Sequence, residues 1–142
     1  RLKIDKNQKL FAGTPPLEAK KILMSSATTQ GIGFGVGDPL KLDFINISKV
    51  FFHACARRDV YVKLPPEDNE PGMVGKLNKA MYGTRDAAMN WQDEVAREMN
   101  KWRFQRGRYN PCLYWRQEDD LMTMVHGDAF VSVGSREATM KF

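Results

Sequence analysis

Apolar and polar positions alternate most regularly toward the C-terminal end of the chain. From Leu121 to Gly134 the order is LMTMVHGDAFVSVG: a mostly apolar run, the break His126-Gly127-Asp128, then a second apolar run from Ala129 to Val133. That pattern predicts two strands joined by a tight turn. Apolar strands on both sides would hold the Asp128 carboxylate rigidly at the tip, the way a metal ligand is presented to a substrate phosphate. Gly-Asp is equally an ordinary turn dipeptide. Just upstream, Cys112 to Arg116 reads as a strand pairing with Leu121 to His126 around Gln117 to Asp120. Asp119-Asp120 in that turn is expected to face solvent, because no apolar frame fixes its carboxylates.

The rest of the chain divides by the same criteria. Residues 1 to 14 form an extended lead-in that ends at Pro15-Pro16. Leu17 to Thr29 places Ala19, Ile22, Leu23 and Ser26/Ala27 on one side, the spacing of a helix laid on a core, with Gly31 as its stop. The following GIGFGVG has glycine at every second position, misses the dinucleotide-binding pattern and reads as a loop. Leu40 to Ile47 alternates Leu40, Leu42 and Phe44 against Lys41 and Asp43, a strand. Ser48 to Ala56 is a short apolar segment, and Asp59 to Leu64 a β-rich run closed by Pro65-Pro66. After an acidic turn over Glu67 to Gly72, Met73 to Tyr82 reads as a strand ending at Gly83. A long helix follows from Thr84, with Thr84 or Asp86 as cap and Ala88, Trp91, Val95, Met99 and Trp102 on its core face.

Composition narrows the class. With 142 residues, 42% hydrophobic and 27% charged, the chain is expected to fold as one globular domain over 1–142 with a real core. The longest uncharged run, Ile22 to Gly37, carries hydroxyl residues and four glycines, so no membrane partner is expected. Beginning at Arg1 with no apolar leader and stopping soon after Gly134, it is expected to be a piece of something longer. Cys55 and Cys112 lie far apart without CxxC spacing, which argues against a zinc knuckle or disulfide framework and for intracellular free thiols. The excess of 22 Lys+Arg over 17 Asp+Glu, a net charge of +5, is compatible with a polyanionic partner. Basic clusters such as Arg103, Arg106 and Arg108 are also the ordinary content of a solvated face.

Four stretches carry a more specific signal: DVYVKLPPED at 59–68, GKLNKAMYGTRDAAMNW at 75–91, NPCLYW at 110–115 and VHGDAFVSVG at 125–134. In order and spacing they resemble the reverse transcriptase of copia-type LTR retrotransposons, and the resemblance spans roughly residues 10 to 140. It implies an α+β right-hand polymerase palm, an antiparallel sheet backed by helices, with part of the fingers and truncated before the thumb. It also implies RNA-directed DNA polymerase chemistry, nucleotidyl transfer on two Mg²⁺ ions about 3.5 to 4 Å apart. Its partners would be an RNA/DNA primer-template and deoxynucleoside triphosphates, the thumb and RNase H regions belonging to the rest of the polyprotein.

Against that family pattern this chain departs at the metal-binding positions. Counting back from Phe51-Phe52-His53-Ala54, the family's first-motif Asp falls on Asn46 and its usual small residue on Val50. At the hairpin, Asp128 holds the first acid and Ala129 the second. Two of the three catalytic carboxylates are replaced, leaving Asp128 as the metal ligand. Asp43 is no simple substitute, because strand residues three apart point to opposite faces with Cα atoms about 10 Å apart. The expectation is a degenerate transposon copy, a polymerase by descent whose activity is lost or severely crippled.

Other positions carry over from the resemblance. Phe51 matches the aromatic under the incoming sugar, or is a plain core Phe. Tyr82, Gly83 and Arg85 match the nucleotide-binding turn before the second-motif helix, where close backbone approach favours Gly. His126 and Gly127 take the primer-facing side of the hairpin. The competing reading is a non-catalytic nucleic-acid-binding remnant, recognised by steep salt dependence without need for Mg²⁺.

Overall fold

The computed structural model describes residues 12–33, 35, 37 and 39–142. The described chain is α+β, with three α-helices and antiparallel strand pairing. Its described residues divide into two compact units: residues 49–94 with Ala12, and residues 13–48 with 95–142. The expected lead-in falls almost wholly on residues 1–11, outside the described residues.

The second unit contains the larger sheet. Helix α1 (Leu17–Thr28) starts at Pro16 and buries Ala19, Leu23 and Ala27. Ile22 was expected on that face but is 62% exposed. It lies one position, about 100°, off the Ala19-Leu23-Ala27 line. Strands β1 (Lys41–Asn46), β4 (Gln105–Arg106), β5 (Leu113–Arg116), β6 (Leu121–His126) and β7 (Ala129–Gly134) form a sheet in the order β1-β7-β6-β5-β4. The predicted C-terminal hairpins are present nearly residue for residue.

Register sorts the side chains into two faces, since directly opposed residues project to the same side. Leu42 opposes Val133, and Val133 opposes Met122; Val131 opposes Met124, which opposes Leu113. Leu23 and Ala27 of α1 pack on this set. The other face carries Asp43, Ser132, Thr123 and Tyr114 in one row. Thr123, Ser132 and Tyr114 there are buried, with the Thr123 and Ser132 hydroxyls 2.9 Å apart. Helix α3 (Arg136–Met140), capped by the Ser135 hydroxyl accepting from the Ala138 N–H, closes the unit.

The first unit is built from shorter pieces. A 3-10 turn over Val50–His53 follows Lys49, whose φ is +55°. Strands β2 (Tyr61–Val62) and β3 (Gly75–Lys76) pair antiparallel, and Cys55 bridges Lys79. The strand expected over Met73 to Tyr82 is therefore confined to two residues and one isolated bridge. Its partner is equally short, and Pro65 and Pro66, which have no N–H, bar any ladder beyond Leu64.

The division between the units falls inside helix α2 (Ala87–Lys101). Asp86, not Thr84, precedes its first turn, and the Asp86 carbonyl accepts from the Asn90 N–H at 2.9 Å. Trp91, Val95 and Met99 are buried as expected, whereas Ala88 and Trp102 are exposed and Ala87 is buried instead. Trp102 lies past the helix end, where the helical phase no longer applies. There Arg103 adopts φ +62°, its N–H donates to the Asn100 carbonyl and the Phe104 N–H to the Met99 carbonyl, both at 3.0 Å. This is the Schellman stop, with arginine where glycine is usual.

Candidate active site

The β6–β7 turn consists of Gly127 and Asp128 between two directly opposed residues, His126 and Ala129. Of the two turn residues only Gly127 has a positive φ, +63°, the pattern of a type II′ turn whose twist matches the flanking strands. The turn is also tied to β1, since the Ile47 N–H donates to the Asp128 carbonyl at 2.9 Å.

That register brings together three residues that are distant in sequence. Asn46 opposes Ala129 across β1 and β7, and Ala129 opposes His126 across β7 and β6. Asn46, Ala129 and His126 therefore form one row on one face, with Asp128 at its rim. It is the same face that α1 covers, at the end α1 does not reach. Asn46, His126 and Asp128 are exposed, and Phe44 beside them is 62% exposed. Phe44 keeps the predicted alternation with Leu42, but among the described residues no helix lies over that end of the sheet.

Asp43 opposes Ser132 on the opposite face, and its carboxylate accepts from the Phe44 N–H at 2.9 Å. It does not join the row. Within the row and turn, the oxygen donors are one carboxylate, Asp128, and the neutral amide of Asn46; Ala129 offers a methyl group. Among the described residues no three His, Cys, Asp or Glu side chains gather to hold a metal ion. A pair of divalent cations needs several anionic oxygens to offset its charge, and this donor set does not fit one.

The remaining predicted residues lie in the first unit. The Phe51 and Tyr82 rings are 4.4 Å apart, and Phe52 meets Tyr82 edge-on at 5.8 Å. Tyr82 and Gly83 are the central residues of a turn closed by the Thr84 N–H on the Met81 carbonyl at 3.0 Å. Gly83 has φ +86°, as the third position of a type II turn requires. A Cβ there would meet no atom of the chain within 4 Å, so the backbone angle, rather than internal crowding, demands glycine. Arg85 is exposed beside this turn.

The structure adds two carboxylate sites that pattern alone did not reveal. Asp86 is buried and accepts from Arg58 at 2.8 Å and from the Asn90 side chain at 3.1 Å; chiefly through the Arg58 bond, its carboxyl is held below the usual range. Asp119, expected in solvent, instead accepts two hydrogen bonds from the buried Arg116, which hold its carboxyl low as well. The i,i+3 spacing of Arg116 and Asp119 was the available signal. Neither cysteine is in a disulfide; Cys55 is exposed and Cys112 buried, and burial pushes the Cys112 thiol up.

A family model described as reverse transcriptase (RNA-dependent DNA polymerase) matches residues 26–141. The retrovirus-related Pol polyprotein from transposon TNT 1-94 of Nicotiana tabacum is 23% identical over 101 residues, covering 67% of this chain and 8% of that polyprotein. No solved structure matches the chain. No helix of the described residues is long and apolar enough to cross a membrane.

Proposed function

The chain belongs to the reverse transcriptase (RNA-dependent DNA polymerase) family, and on that premise we propose that it is the palm, with part of the fingers, of a copia-type retrotransposon polymerase in a copy that no longer transfers nucleotides. One observation carries the reading: Asn46 and Ala129 oppose each other in the row below Asp128. In the family pattern both positions are carboxylates, so the register that would cluster three acids clusters one acid, one amide and one methyl group. Nucleotidyl transfer must deprotonate the primer hydroxyl and neutralise the departing pyrophosphate. Asn46 and Ala129 supply no charge toward either task.

The remaining roles follow from the same reading. Phe51 and Tyr82 form the aromatic floor for the sugar and base of an incoming deoxynucleoside triphosphate. Gly83 and Arg85 present backbone and charge at its edge, and His126 and Gly127 face the primer strand of an RNA/DNA primer-template. A non-catalytic nucleic-acid-binding role is the second reading, favoured by the net charge of +5.

The test is primer extension on an RNA template after residues 26–141 replace the matching segment of an active family member. The graft as it stands gives no extension above background, and the same graft carrying Asn46→Asp and Ala129→Asp extends. Comparable extension by the unreverted graft would overturn the inactive reading; silence from both would overturn the palm assignment.

A further inference from the structure

From Arg103 to Gln117 the chain carries four arginines and no Asp or Glu. Arg103 reaches forward to Glu118 at 3.1 Å, and Arg116 is buried against Asp119. Arg106 and Arg108 have no acidic partner among the described residues. Arg106 is fixed instead by its Nε donating to the Pro111 carbonyl at 2.7 Å, with its guanidinium 5.9 Å over the Tyr114 ring.

The loop joining β4 to β5 is firmly tied. The Gly107 N–H donates to the Leu113 carbonyl at 2.7 Å, the Leu113 N–H to the Asn110 carbonyl at 3.1 Å, and the Cys112 N–H to the Asn110 side chain at 3.1 Å. At its tip Tyr109 is 95% exposed, with the Arg108 guanidinium 6.0 Å from its ring centre. A bulky aromatic held out by a fastened loop contributes nothing to the core. Two cations beside it lack counter-charges among the described residues.

Register places this loop at the same end of the sheet as the β6–β7 turn, because the Val125 N–H donates to the Cys112 carbonyl at 2.8 Å. From β7 to β5 is two strand spacings, about 10 Å. Arginines take phosphate oxygens without regard to sequence, and an exposed tyrosine ring takes an unpaired base on its face. A duplex hides its base faces; a single strand offers them.

We propose that the β4–β5 loop is a contact surface for single-stranded nucleic acid beside the Asn46–Ala129 row, with Arg106 and Arg108 on the sugar-phosphate backbone and Tyr109 as the stacking platform for one base. It rests on the nucleic-acid partner of the reading above and adds a surface to it.

Fluorescence anisotropy of the 142-residue chain with labelled oligo(U) and oligo(dT) of about twelve nucleotides tests it. The parent binds, more tightly than to a duplex competitor, and binding weakens steeply with salt. Arg108→Glu weakens it about tenfold and reduces the salt slope by about 0.7 or more. Tyr109→Ala weakens it about tenfold and Tyr109→Phe restores it. Unfolding midpoints stay at the parent value, since both side chains are exposed. The ratio of oligo(U) to oligo(dT) affinity tells which backbone is preferred. If the parent binds and both variants bind equally well, the loop assignment is overturned while nucleic-acid binding stands. If Tyr109→Ala has no effect and heparin competes as well as oligo(U), the surface is a general polyanion site and the proposal fails. If the parent binds no oligonucleotide at low salt, the partner reading falls and this proposal with it.

Discussion

Arg116, 4% exposed, holds Asp119 through two parallel hydrogen bonds, Nε at 2.8 Å and Nη2 at 2.7 Å. The same guanidinium lies 4.9 Å over the Phe104 ring and donates to the Ala138 carbonyl at 3.4 Å. One buried cation thus links the β5–β6 turn, α3 and the segment after α2.

Acid stability follows from this pair. The folded carboxyls of Asp119 and Asp86 lie below their unfolded values. Their contribution is fully present above the unfolded value of about 3.9 and is lost as pH falls through the folded values. The unfolding midpoint of the parent is therefore expected to drop below about pH 4. Asp119→Ala, which strands a buried guanidinium, costs about 3 kcal/mol at neutral pH. Urea titrations across pH check both: the gap between parent and variant narrows toward low pH, and a gap that stays constant would refute the assignment.

The Thr123 and Ser132 hydroxyls satisfy each other in the buried face of the hairpin. Ser132→Ala leaves the Thr123 hydroxyl without this partner and costs about 1 to 2 kcal/mol. Thr123→Val combined with Ser132→Ala costs less than the sum of the two single changes. A double-mutant cycle by urea unfolding measures the coupling, and simple additivity would exclude it.

Placing acids in the row is expected to couple stability to metal. With Asn46→Asp and Ala129→Asp, carboxylates at directly opposed positions join Asp128 and repel one another. The variant is expected to be about 1 to 2 kcal/mol less stable than the parent in chelator and to recover on addition of Mg²⁺ or Mn²⁺. The parent's unfolding midpoint stays unchanged by the same additions. Thermal melts with and without metal decide the matter, and a metal-insensitive variant would refute the placement of the three positions.

Arg103 occupies the left-handed position of the Schellman stop at φ +62°. Arg103→Gly relieves a strain of about 1 kcal/mol, against the loss of an exposed ion pair with Glu118 that is worth less. A net gain in the unfolding midpoint is expected, and a net loss would show the ion pair to be the stronger effect.

The hairpins, α1 and the line Trp91-Val95-Met99 were legible because periodicity reports which residues share a side. It does not report what lies on that side. Phe44 and Leu42 obey one alternation, yet α1 covers only the Leu42 end. Ala88 and Trp102 failed for the phase and length of α2, and the Met73–Tyr82 strand for want of a partner longer than two residues. Asp119 was misplaced because its anchor, Arg116, reads from sequence as one more surface cation. The opposition of Asn46 and Ala129 needed the register itself, which turn geometry fixes and single-strand patterns do not.

The end of the sheet left bare by α1 has an evolutionary consequence. Residues there bury little, so exchanging an acid for an amide or a methyl group costs the fold almost nothing. Under Leu23 and Ala27 a comparable change would open a cavity or strand a polar group. Selection for a foldable chain therefore guards the roofed half of the sheet and ignores the open half. A change of chemistry at the open end would therefore leave the fold, and the family likeness with it, in place.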